Sequence, residues 1–380
     1  SLVDSSAGTA GYGGWADDNR TCFYSENDPE TLLGTKVKKH VVGTDAKHDV
    51  LVYQEQDDTF YMGVGRTRDD AFITIGMSST VSDELRYAPA SNPETFAVLA
   101  PRARDVEYDA DHFDGRWVIR TNAGKATNFK IVTAADGSAS RKDWQDWIAH
   151  DPQVFIEDIE LFDGFAAIAE RSGGLERVRI LRDGGASDYV KADETAYSMG
   201  LDVNAEPGTD WLRYSYTSLA MPATTYELNV KTGERRALKR QPVPGYDPAN
   251  YVTERVWVTA RDGAKVPVSL VYKKGFEKNG TAAMLQYGYG SYGASMDPGF
   301  SVTTVSLLDR GMVYALAHIR GGQEMGRQWY EDGKLLNKRN TFTDFIDVTD
   351  ALVQQGYAAK DRVAALGGSA GGLLMGAISN

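Results

Sequence analysis

The chain has 380 residues, 42% of them hydrophobic, 25% charged and 11% aromatic, with no low-complexity tract. This composition excludes a disordered or collagen-like protein, and the length favours two domains, or one domain joined to a repeat array. Asp and Glu number 53 against 41 Lys and Arg, a net charge of −12 that offers nothing to nucleic acid or an anionic membrane and is accounted for by a solvated acidic surface.

Cys22 is the single cysteine, which rules out an intramolecular disulfide and a cysteine-based metal cluster and fits a reducing, cytoplasmic setting. No apolar run reaches the roughly 18 residues of a membrane span. The opening Ser1-Leu2-Val3-Asp4-Ser5-Ser6 lacks the basic and apolar regions of a signal peptide, and it begins with Ser, as a fragment can.

Up to about Arg240 short β-branched and aromatic stretches predominate, broken by Gly, Asp and Asn. Asp49–Tyr53, Ala71–Ile75, Arg116–Arg120 and Leu212–Tyr216 read as half-buried antiparallel strands. A strand-then-turn unit recurs with Gly43, Ser91, Gly137, Gly184 and Gly233 as markers, in steps of 48, 46, 47 and 49 residues. A near-constant, strand-filled period of this size is the mark of a β-propeller blade; an irregular β-sandwich is the alternative.

Gln241-Pro242-Val243-Pro244-Gly245-Tyr246-Asp247-Pro248 suits a linker, so a domain boundary is placed between residues 245 and 246. A hairpin follows, Val256–Thr259 and Val266–Leu270, joined across Asp262-Gly263. The pattern then changes to apolar strands at Ala283–Leu285, Met312–Leu316 and Val363–Leu366. Between the last two, Phe342, Phe345, Ile346, Thr349, Leu352 and Val353 fall at helical spacing and Gly356 can stop the helix. Alternating strands and helices predict a largely parallel sheet.

The chemistry concentrates in the last hundred residues. In Gly367-Gly368-Ser369-Ala370-Gly371, strand Val363–Leu366 runs into the apolar, helix-like Leu373–Ile378. A nucleophile on such a sharp turn needs small residues two positions away on each side, where the backbone closes on itself. Ser369 is therefore the candidate nucleophile, with a tight structural turn as the alternative. The N–H of Ala370 would supply half of an oxyanion hole. A second donor has a candidate in the loop Tyr287-Gly288-Tyr289-Gly290-Ser291-Tyr292-Gly293, whose tyrosines either donate from their phenols or simply pack.

Arg320-Gly321-Gly322-Gln323-Glu324 lacks both a P-loop and a dinucleotide-binding pattern and reads as a structural loop. The histidines His40, His48, His112, His150 and His318 form no ligand pair, so neither a metal nor another cofactor is expected.

Taken in order, Tyr287–Ser295, Ile319-Arg320-Gly321-Gly322, Trp329-Tyr330-Glu331-Asp332-Gly333-Lys334 and Gly367–Gly372 strongly resemble the prolyl oligopeptidase family, and most of all its oligopeptidase B branch. Asn250–Tyr272 is similar to the hairpin that leads into that family's catalytic domain. The resemblance implies a β-propeller, seven-bladed in the family and incomplete here, over residues 1–245. The first part of an α/β-hydrolase peptidase domain would follow over 246–380, ending just after the nucleophile.

It further implies a serine peptidase of short peptides that cleaves after Arg or Lys, with Ser369 as nucleophile and Tyr289 with the Ala370 N–H as oxyanion hole. Asp297 matches one of two aspartates that receive a second basic residue; Gly299 stands where the other would be, which weakens a dibasic preference. A Pro-specific or acylaminoacyl-specific relative is the alternative reading. So is a non-catalytic propeller module that binds a partner or peptide.

In α/β-hydrolases an Asp and then a His follow the serine. Neither follows Ser369 here, so the chain is expected to be an incomplete and by itself inactive peptidase.

Overall fold

The computed structural model describes residues 6, 8–137 and 140–379. Its contacts divide the chain into two compact units, Ser1–Asp151 and Pro152–Asn380.

The first unit holds three four-stranded sheets. Thr9–Trp15, Thr21–Asn27, Gly34–Val41 and Val50–Gln54 (β1 to β4) form the first; Tyr61–Arg66, Phe72–Ser78, Asp83–Pro89 and Ala97–Val98 (β5 to β8) the second. Tyr108–Phe113, Arg116–Thr121, Lys130–Ala135 and Gln145–Ile148 (β9 to β12) form the third. Each is an antiparallel meander in chain order. β6 shows why: Ile73, Ile75 and Met77 alternate into the core with Phe23 and Val37 of the first sheet, while the residues between them face outward. Trp117 and Ile119 of β10 pack against Tyr87 of the second sheet, and Val118 between them is buried on the other face.

The second unit begins with two more such meanders. They are Phe155–Phe162, Phe165–Ser172, Leu175–Arg182 and Ser187–Tyr189 (β13 to β16), then Tyr197–Leu201, Trp211–Ser218, Thr224–Asn229 and Arg235–Arg240 (β17 to β20). Val178 and Ile180 pack with Leu212, Tyr214 and Tyr216 between the two sheets. All five period markers, Gly43, Ser91, Gly137, Gly184 and Gly233, lie in the turn from the third to the fourth strand of a sheet. The repeat read from the sequence is thus one blade per period, and these are the blades of a β-propeller.

A five-stranded sheet follows, built from Tyr251–Thr259, Lys265–Lys273, Met284–Tyr287, Val313–Ala317 and Val363–Leu366 (β21 to β25) in the order β21-β22-β24-β23-β25. β24, β23 and β25 are parallel, but the sheet is mixed, because the β21–β22 hairpin joins through antiparallel pairing of β22 with β24. Val302–Leu308, Arg327–Glu331, Arg339–Gln354 and Ala370–Ile378 are helices α1 to α4. In α3 the buried stripe is Thr341, Asp344, Phe345, Val348 and Leu352, which seats on Val266, Val268, Met284 and Ala315 of the sheet. This is the start of an α/β-hydrolase domain. Among the described residues, no helix is long and apolar enough to cross a membrane.

Candidate active site

Ser369 stands between β25 and α4 with φ 53° and ψ −121°, a left-handed conformation that L-residues avoid unless the surroundings enforce it. The enforcement comes from backbone on both sides. A Cβ on Gly367 would stand 2.6 Å from the Gly371 carbonyl oxygen and 3.1 Å from that of Gly288; one on Gly371 would stand 3.1 Å from the Gly288 oxygen. Only hydrogen fits there, so the chain folds back sharply enough to present the serine side chain, and Ser369 is exposed. Gly371 N–H donates to Gly368 O at 2.7 Å and Gly372 N–H to Ser369 O at 2.8 Å, closing the turn. Ala370 opens α4, where the first backbone N–H groups lack intrahelical acceptors.

The loop after β23 lies against this elbow. Tyr289 is half-buried, and its Cδ2 and Cα lie 3.5 and 3.7 Å from the position a Gly371 Cβ would take. Gly290, at φ 68°, keeps the loop close to α3: a Cβ there would meet Thr341 Cγ2 at 2.4 Å and Arg320 O at 2.9 Å. Lys338 Nζ donates to Ser291 Oγ at 2.7 Å and also to the Gly290 carbonyl, and Thr341 Oγ1 donates to Arg320 O at 2.7 Å. The structure thus sets Tyr289 against the first turn of α4 at Gly371, two residues from Ser369.

Asp297 is held elsewhere on the same loop and is not free. Arg171 of β14 grips it end-on, Nη1 to Oδ1 at 2.6 Å and Nη2 to Oδ2 at 3.0 Å. Arg171 is 2% exposed and also donates from Nε to Glu157 at 3.0 Å and from Nη2 to Glu176 at 3.3 Å. Burial, reinforced by the Asp297 charge, pushes Glu176 up to about 7. Beside this cluster Glu324 accepts the Met296 N–H at 2.8 Å on Oε1, while Oε2 is buried without a partner; burial raises its carboxyl to about 7. Neither Arg171 nor Glu324 was identifiable from sequence as belonging with Asp297, since no motif links Arg171 to a loop 126 residues later.

The Arg320 cluster is structural, in line with its reading. Arg320 donates from its backbone N and Nε to Asp344 Oδ2 at 3.0 and 2.9 Å, and from Nη1 to Asp262 at 2.6 Å, tying the β21–β22 turn to α3. His318, fully buried, shares a 2.8 Å hydrogen bond with Ser269, and burial drives its imidazole down to about 3, so it stays neutral. No histidine or carboxylate is hydrogen-bonded to Ser369 among the described residues.

Known proteins match this arrangement throughout. Residues 2–241 match the family model for the prolyl oligopeptidase N-terminal β-propeller domain, and 298–380 that for the prolyl oligopeptidase family. Dipeptidyl aminopeptidase BI of Pseudoxanthomonas mexicana is 70% identical over 367 residues, covering 96% of this chain and 51% of the relative. Protease 2 of Moraxella lacunata is 37% identical over 368 residues, covering 96% and 53%. The structure of oligopeptidase B from Leishmania major superposes with a TM-score of 0.92 at 36% identity, over 99% of this chain and 54% of that one. The chain therefore spans about half the length of the curated relatives it matches. With five propeller blades, the start of the hydrolase sheet and its serine elbow in order, the chain belongs to the prolyl oligopeptidase family.

Proposed function

We propose that the protein is a serine-type oligopeptidase that cleaves short peptides after Arg or Lys through an acyl-enzyme on Ser369. The observation that carries the serine chemistry is the elbow, a serine at φ 53° between a parallel strand and a helix, with backbone packed against both flanking glycines, while the Arg or Lys preference rests on the likeness to oligopeptidase B. Ser369 Oγ attacks the scissile carbonyl as a base removes its proton, and the carbonyl oxygen becomes an oxyanion held by the Ala370 N–H and the Tyr289 phenol. Collapse breaks the C–N bond, the amine leaves with the proton, and water releases the acyl group. Asp297 lines the subsite one residue further along the substrate.

The domain boundary is proposed between residues 245 and 246, supported by the end of the last blade at Arg240 and the start of the mixed sheet at Tyr251. With no histidine bonded to Ser369, the 380 residues alone are proposed to be inactive. The protein is placed in the cytoplasm, a reading supported by its lone cysteine.

In the full-length gene product, Ser369→Ala should abolish cleavage of Arg-containing reporter peptides; retained cleavage refutes the assignment. Pro and acetyl-Ala reporters separate the Pro-specific and acylaminoacyl alternatives. A second reading, removal of dipeptides from free amino termini, is favoured by the 70% identity to a dipeptidyl aminopeptidase. Reporters with free and blocked amino termini decide between them.

A further inference from the structure

We infer that Arg171 is a built-in occupant of the cation position opposite Asp297, and that it sets the protein against substrates carrying a second basic residue. The inference rests on the proposed reading of Asp297 as a subsite residue. A substrate guanidinium would meet Asp297 most favourably in a two-point fork, and Arg171 already makes that fork through Oδ1 and Oδ2 at 2.6 and 3.0 Å. The resident cation is immobilised from behind. Glu157 takes Nε, Glu176 takes a second Nη2 proton, and Glu176 is itself held by the Ser198 hydroxyl and by the Met199 N–H at 2.9 Å.

The charge around Asp297 points the same way. Arg255 of β21 is a second, half-buried cation within electrostatic reach of Asp297, its guanidinium anchored to the Gly173 and Gly174 carbonyls at 2.6 and 3.3 Å. One cation thus contacts Asp297 and a second adds to the positive field around it. Glu176 and Glu324, raised by burial to about 7, contribute less than full negative charge at neutral pH. An incoming cation would have to displace one that is buried and held by the side chains of Asp297, Glu157 and Glu176.

The test uses the full-length protein and two reporter peptides with the same residue before the cut, carrying Arg or Ala one position further away. The readout is the ratio of kcat/KM for the two. Arg171→Met should raise the Arg-to-Ala ratio about tenfold, the scale of one charge-assisted contact. Asp297→Asn should leave the wild-type ratio unchanged, and the double variant should return to it.

A fall in the ratio for Asp297→Asn alone would show that Asp297 serves substrate directly, overturning the inference while keeping the subsite. No change in any variant would remove Asp297 from the subsite and overturn both. If Arg171→Met does not fold, Arg171→Lys, which keeps the charge but cannot make the fork, should move the ratio in the same direction by a smaller factor; an unchanged ratio there counts against the inference.

Discussion

Replacing Gly367 by Ala tests the elbow by geometry alone. The added Cβ would sit 2.6 Å from the Gly371 oxygen, 2.9 Å from the Gly371 carbonyl carbon and 3.1 Å from the Gly288 oxygen. All three are backbone atoms, so no side chain can rotate away; either β25 or the first turn of α4 must move. Overpacking of this kind costs about 1–3 kcal/mol when side chains absorb it, and rigid backbone puts the value at the upper end, about 3 kcal/mol. Gly368 is the internal control, since a Cβ there meets nothing within 4 Å and its φ is ordinary. Gly368→Ala should stay within about 0.5 kcal/mol of the parent. Urea unfolding followed by tryptophan fluorescence, to which Trp329 in the core of the mixed sheet contributes, reads the difference as a lowered midpoint for Gly367→Ala alone. Equal midpoints for the two alanine variants would refute the packing argument.

Three further outcomes are expected. Gly372, inside α4 with open space around it, should gain about 0.5–1 kcal/mol on substitution by Ala, read as a raised urea midpoint. Asp344→Ala leaves the Arg320 guanidinium with Asp262 alone and should cost about 3–5 kcal/mol; a loss below about 1 kcal/mol in the same assay would show that the pair is not structural. Glu324 gives a pH dependence. Its carboxyl is raised from 4.5 to about 7, so between those values the folded chain holds a proton that the unfolded chain releases, and stability falls as pH rises across the window. Glu324→Gln should match the parent near pH 4 and exceed it by up to about 3 kcal/mol at pH 8; a pH-independent difference would contradict this.

Local features of the fold were legible because local chemistry decides them. The five turn markers recur in one structural position, and α3 and its stop at Gly356, φ 83°, follow from apolar spacing and a glycine. The elbow was legible in part for the same reason, since Gly367 answers to the Gly371 carbonyl four positions on, although both glycines are also closed in by Gly288 from a distant loop. The mixed character of the hydrolase sheet was not, because strand direction depends on which neighbour β22 finds, and β24 lies more than forty residues on. The Arg171–Asp297 pair was hidden more deeply. β14 is buried along nearly its whole length, so no polar–apolar alternation shows which way Arg171 points. Asp297, before Pro298, looked like an open loop carboxylate; only tertiary structure shows that a guanidinium already fills it.

Ser369 is the proposed nucleophile, and covalent labelling probes that role without intermediaries. The full-length protein, treated with a fluorophosphonate probe and mapped by peptide mass spectrometry, should carry the adduct on Ser369, and Ser369→Ala should lose both adduct and peptide cleavage. An adduct on another residue, or cleavage that survives in Ser369→Ala, would contradict the claim.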